Sequence, residues 1–225
     1  MRYANAKRSF ARSALVTIRA GTLPSQKEFI VHEDMLFQSE FFRRALQGEW
    51  KEADTRIINL PEDDAVDVNL YLQYIYTKSL QAKVAHKPAI DHLWEQVTPA
   101  YEETSRIYVF AEKVQDTPTK NDMVRELFRI TKKRSECGSW ILPTTASIQI
   151  IYEGTTDGSL ARKLLVDLFS NPSKSTLSTR FQEHVPQEFS RDLLISWATD
   201  RINQDPSPGN VAKTQGAEAY LETCG

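Results

Sequence analysis

The sequence predicts an α/β fold: a small three-stranded sheet capped by helices, followed by a helical extension. Three observations predict it. Short runs rich in β-branched and aromatic residues stand at 15–19, 27–31 and 56–59. Longer stretches repeat apolar residues three and four positions apart, the spacing of one buried helix face. Between them stand helix-boundary residues: Ser39, Pro61 with the acids after it, and Thr98 before Pro99.

The first strand is read at Leu15–Arg19, and a Gly-Pro-Ser turn at Gly21–Gln26 follows it. The second strand, Lys27–Val31, places Phe29 and Val31 on one face by period-two alternation. A short helix carries Met35 and Leu36. Ser39 is a good N-cap for a helix over Glu40–Gln47, and Gly48 is expected to end that helix in a left-handed conformation. Arg56–Asn59 forms the third strand. Pro61 with Glu62, Asp63 and Asp64 opens the next helix, since early acids complement the positive helix end. Its buried face carries Val68, Leu72 and Ile75.

A loop is read over Gln81–Ala89, and Leu93, Trp94 and Val97 suggest a short apolar helix or turn. Thr98–Pro99 reads as the N-cap and first residue of a longer helix. That helix buries Ile107, Phe110, Ala111 and Val114, and Thr119–Lys133 repeats the pattern with Val124, Leu127 and Phe128. After a loop with Gly138 and Pro143, three further stripes follow: Ile148, Ile151 and Tyr152; Ala161, Leu164, Leu165 and Leu168; and Phe189, Leu193 and Trp197. Ser170–Thr179 is polar and reads as a loop. The expected organisation is a basic arm over 1–13, an α/β domain over 14–134, a helical C-terminal extension over 135–203, and a disordered tail over 204–225.

Composition excludes several classes. A net charge of −2 gives no global pull toward nucleic acid or an anionic membrane, so neither is an expected partner. No stretch is long and apolar enough to span a bilayer. Two cysteines, Cys137 and Cys224, supply neither a disulfide framework nor a zinc site, which fits a reducing intracellular compartment, cytoplasmic or nuclear. The first 27 residues lack acids and carry six basic side chains. A strand at Leu15 leaves too little room for a targeting helix, so a solvated arm is expected rather than a mitochondrial presequence.

No catalytic, cofactor or metal set is expected. His32, Glu33 and Asp34 are adjacent to one another, with Ser39 nearby, but chain neighbours point in different directions and do not converge on one substrate atom. Histidines 32, 86, 92 and 184 lack metal-ligand spacing. The stretch Gly154–Gly158 lacks the Gly-Lys-Ser/Thr ending of a phosphate loop and reads as a helix-helix connection.

The residues Phe29, Val31, His32, Leu36, Ser39, Phe41 and Phe42 are fold-defining in this reading. With Gly48–Ala53, Ile57–Asp64 and Tyr71–Thr77 in this order and spacing, they resemble a BTB/POZ domain, the Skp1-like fold. The full-length pattern is most similar to the fungal stand-alone members. The resemblance is close over roughly 14–80 and fainter to about 203. It implies a non-enzymatic protein-interaction module. Adaptors of cullin-based ubiquitin ligases in this family touch the cullin through a hydrophobic-x-Glu element, which Trp50-Lys51-Glu52 matches. A cullin is therefore one candidate partner; the alternative is a stand-alone oligomerisation or scaffold protein. Where relatives often hold an acidic partner for the histidine, this chain has Ala14, so a main-chain partner is expected for a buried His32. The arm before the first strand offers little apolar area for a swapped dimer. A monomer is expected, or a non-swapped oligomer formed through the helices bearing Tyr101 and Tyr108.

Overall fold

A computed structural model of the chain describes residues 14–48, 50–82, 93–132, 141–170, 185–203 and 215–223, with main chain only at 93, 94 and 200–203. It is a mixed α/β chain. The described residues form a three-stranded mixed sheet, nine α-helices and one 3-10 helix. Expectations for the arm 1–13, the 83–92 part of the loop, Cys137, Trp140, the polar stretch 171–184, residues 204–214, Cys224, His86, His92, His184 and the Trp94 side chain lie outside the described residues.

Two compact units are present: Met1–Lys78 with Val114–Asp116, and Ser79–Lys113 with Thr117–Gly225. The expected boundary at 134 is thus corrected.

In the first unit, β1 (Leu15–Ala20) is the central strand. It pairs antiparallel with β2 (Lys27–His32) and parallel with β3 (Ile57–Leu60). The register places Val16 opposite Val31, Ile18 between Phe29 and Ile58, and Ala20 opposite Leu60. One face of the sheet is therefore apolar, and Val16, Ile18, Ala20, Val31, Ile58 and Leu60 are all buried. Phe29 lies on that face but is only half-buried, because β2 is an edge strand.

Short helix α1 (Glu33–Leu36) contributes Met35 and Leu36 to the core. Helix α2 (Glu40–Gln47) is capped as expected: Ser39 Oγ accepts the Phe42 N–H at 3.2 Å. The same hydroxyl donates to the Val114 carbonyl at 2.5 Å. Helix α2 buries Phe42, Ala45 and Leu46, spaced by three and four. Phe41, read as fold-defining beside Phe42, is one step round the helix; it is 36% exposed and packs edge-on against Phe42, with ring centroids 5.2 Å apart.

Gly48 is extended rather than left-handed (φ −81°, ψ −173°). The position needs glycine for space: a Cβ would fall 2.7 Å from the Arg44 carbonyl and 3.3 Å from Trp50 Cδ1. A further short helix, α3 (Lys51–Thr55), lies between α2 and β3. Helix α4 (Ala65–Thr77) starts at its N-cap Asp64, which accepts the Val66 N–H at 2.8 Å. It buries Val68, Tyr71, Leu72, Tyr74 and Ile75. Tyr71 donates to Asp116 at 2.9 Å inside this unit.

The second unit is helical: α5 (Leu93–Lys113), α6 (Thr117–Lys132), α7 (Thr145–Gly154), α8 (Leu160–Phe169) and α9 (Gln187–Asn203). Helix α5 begins well before the expected Thr98–Pro99 start, so Pro99 sits inside it. Pro99 faces solvent, the side on which a helix best tolerates a missing main-chain bond. Helix α5 packs on both α6 and α7. Those two partners draw α5 and α6 into the helical unit and away from the expected 14–134 domain.

Arg162 of α8 is buried. Its guanidinium donates to the Tyr152 carbonyl at 2.6 Å and to the Thr155 carbonyl, so it caps the end of α7. It also reaches Thr155 Oγ1 at 3.0 Å, Asp157 at 3.0 Å and Glu188 at 2.8 Å, and lies 4.5 Å from the Tyr152 ring centre.

The expected tail is corrected over its last described part. Gly216–Tyr220 forms the 3-10 helix, and Tyr220 is fully buried with its hydroxyl on Asp167 of α8 at 2.6 Å.

Candidate protein-interaction site

The four side chains singled out for partner binding separate into two kinds. Trp50 and Glu52 stand at the start of α3 in the first unit. Trp50 is the N-cap residue, with an extended backbone (φ −91°, ψ 155°) that turns its indole away from the core; it is 67% exposed. Indoles are costly to leave in water, and an exposed one beside a concavity is a typical contact residue. The concavity, about 380 Å³, is lined by Arg43, Arg44, Gln47, Gly48 and Trp50.

Gly48 sets its floor, because the missing side chain lets the indole lie against the end of α2. Glu40 pairs with Arg43 and with Arg44, the latter at 2.8 Å, so two guanidinium groups share one carboxylate along the rim. Glu52 is half-buried two residues beyond Trp50, and its carbonyl accepts the Arg56 N–H at 2.9 Å. Arg56 ends α3 in the left-handed region (φ 56°) and pairs with Glu33 at 2.8 Å, which fixes the short helix against the rest of the unit. The surface offers an apolar ring, cations and a carboxylate within a few residues.

Tyr101 and Tyr108 are corrected: they are 0% and 1% exposed. Tyr101 bonds Thr131 Oγ1 at 2.9 Å and the Ile141 carbonyl at 2.8 Å. Tyr108 lies 3.2 Å from Ser159 Oγ, and burial first of all pushes its pKa up. They are internal ties of the helical unit and cannot form a docking face.

His32 is also corrected. It is half-buried rather than buried, and its imidazole meets the Tyr76 hydroxyl. The lining residues Arg43, Arg44 and Gln47 went unnoticed in the sequence, where their only signal is a polar side of an amphipathic helix.

Among the described residues, no three His, Cys, Asp or Glu side chains are grouped to hold a metal ion, and no helix is long and apolar enough to cross a membrane. No family model matches the chain, and no curated protein matches it.

Proposed function

We propose that this chain is a protein-interaction module of the BTB/POZ type that acts without catalysis, and that its first unit is a substrate adaptor surface for a cullin-based ubiquitin ligase. The observation that carries this reading is the exposed Trp50 at the head of α3, with Glu52 two residues on and the concavity beside it. The resemblance assigns the cullin contact to this hydrophobic-x-Glu element. Support also comes from the fold-defining residues: Val31, Leu36, Ser39 and Phe42 are buried in one compact unit around the three-stranded sheet.

The test is co-purification of the full chain with cullins from cells, followed by direct titration. Replacing Trp50 and Glu52 together with Ala should weaken binding by about 30-fold or more, the loss expected when a central aromatic contact goes. Far-UV spectrum and Tm should hardly move, since Trp50 is mostly in water already. If the wild-type chain binds no cullin at micromolar concentration, the adaptor role is replaced by that of a stand-alone scaffold. Removing residues 1–12 should leave the solution mass unchanged in light scattering, as expected of a monomer or a non-swapped oligomer.

A further inference from the structure

Residues 215–223 are held by α6 and α8 in a manner that differs from ordinary helix packing. Three kinds of contact combine. The first reads main chain: Asn121 of α6 donates from Nδ2 to the Glu222 carbonyl at 2.8 Å and accepts the Glu222 N–H on Oδ1 at 2.8 Å. A side-chain amide that satisfies both main-chain groups of one residue holds an extended strand whatever its side chains.

The second reads a tyrosine. Tyr220 fills a closed hole, 0% exposed, and its hydroxyl meets Asp167 at the far end at 2.6 Å. The third reads an acid. Lys120, buried and paired with Glu112, places its ammonium 2.6 Å from the Glu222 carboxylate. At the rim, Arg125 reaches Glu218 at 3.3 Å. The segment enters through Gly216, whose left-handed φ of 68° lets the chain turn over the Phe128 ring.

A main-chain clamp, one specificity hole and one charge reader together make a peptide-recognition site. We propose that the groove between α6 and α8 is a peptide-binding site for partner-protein segments carrying a tyrosine followed two residues later by a glutamate, with residues 215–223 as its resident ligand. The resident segment competes from the same chain. Its effective concentration is on the order of millimolar, so a partner segment enters only where the resident one is weakened or displaced. This site lies in the helical unit and does not depend on the reading of Trp50.

The experiment uses the full chain and a fluorescein-labelled peptide of residues 215–223, read by fluorescence anisotropy. Tyr220→Ala in the chain removes the side chain that fills the hole and opens the groove. That variant should bind the labelled peptide with micromolar Kd, and the wild-type chain should bind it at least about 100-fold more weakly. In the peptide, Tyr220→Phe and Glu222→Gln should each lower affinity roughly tenfold, the loss of one hydrogen bond to a charged group. A folded Tyr220→Ala chain that ignores the peptide at about 100 µM overturns the proposal.

Should that variant fail to fold, a wild-type chain with a protease site introduced between Asn203 and Gln215 gives the answer. After cutting, the labelled peptide should replace the resident segment. Loss of that segment on gel filtration with no uptake of labelled peptide overturns the proposal. So does a wild-type mass of twice 25.7 kDa that collapses on Tyr220→Ala, since the occupant would then be the segment of a second copy.

Discussion

Tyr76 holds His32 at two points: its hydroxyl accepts the main-chain N–H of His32 at 2.8 Å and lies 2.9 Å from the imidazole Nδ1. The rings meet edge to face, with centroids 6.0 Å apart. One hydroxyl at the end of α4 thus ties down the end of β2 and orients the ring that follows Val31. The sequence offered a main-chain partner for this histidine because Ala14 lacks a carboxylate; the structure supplies a phenol from 44 positions away.

Tyr76→Phe should therefore destabilise the chain by about 1–2 kcal/mol, as two modest hydrogen bonds are lost at a partly exposed site. His32→Ala should cost less, because it removes the imidazole contact and leaves the main-chain N–H on the Tyr76 hydroxyl, and the double variant should cost less than the sum, because both changes break the imidazole–hydroxyl contact. Urea midpoints for the four proteins measure this. Strictly additive costs would mean that the two residues do not act as a pair.

The core of the first unit separates residues that look alike in sequence. Leu72 is 6% exposed on the inner side of α4, and Leu72→Ala should cost about 2–5 kcal/mol. Phe41 and Phe42 are adjacent, yet Phe42→Ala should fall in the 3–5 kcal/mol range and Phe41→Ala near or below about 1 kcal/mol. Equal costs for the two phenylalanines in denaturant melts would contradict the phase of α2.

What was legible follows from periodicity and local chemistry. The β-branched run Leu15-Val16-Thr17-Ile18 is enough to place the first strand, while its central position and the inward facing of Val16, Ile18 and Ala20 come from the structure. Ser39 was legible as a cap because a hydroxyl before a helix has few other uses there. Phe41 was misplaced because a one-residue step turns a helix by about 100 degrees, and two adjacent aromatics do not say which faces inward. Tyr101 and Tyr108 were misplaced because α5 has partners on two sides, which widens its buried face beyond one stripe. Tyr220 was invisible: a five-residue 3-10 helix has no period, and its acids resemble those of a solvated tail. Trp50 was noticed for its spacing to Glu52, but its exposure depends on the cap geometry of a five-residue helix, which no pattern reveals.

Arg162 makes a sharper case for geometry over charge. Its carboxylate partners Asp157 and Glu188 are 80% and 54% exposed and would rehydrate if it were lost. The carbonyls of Tyr152 and Thr155, at the end of α7, depend on its fork-shaped donor set. Arg162→Met should cost about 2–3 kcal/mol, and Arg162→Lys should recover less than half of that, because an ammonium cannot span both carbonyls. Full recovery by lysine in thermal melts would show that charge alone suffices.

The last prediction concerns alkaline pH. Tyr71, Tyr108, Tyr152 and Tyr220 all have raised pKa values, in each case through burial first. The neighbouring carboxylates Asp116, Asp192 and Asp167 add to the rise at Tyr71, Tyr152 and Tyr220. Lys120 is also raised: burial works against its charge, but the bonds to Glu112 and Glu222 outweigh it. The sign is the same for all five groups. Above their ordinary values of 10.0 for tyrosine and 10.5 for lysine, the unfolded chain has released protons that the folded chain still holds. The unfolded state then binds fewer protons, and stability falls as pH rises. Their contribution is complete below about pH 10 and is lost as pH climbs toward the folded values. In a titration followed at 295 nm, these four tyrosines should stay protonated until the chain unfolds, then ionise together with the loss of far-UV signal. A smooth titration of all eight tyrosines centred near pH 10, with the far-UV spectrum intact, would show that these hydroxyls reach water in the folded protein.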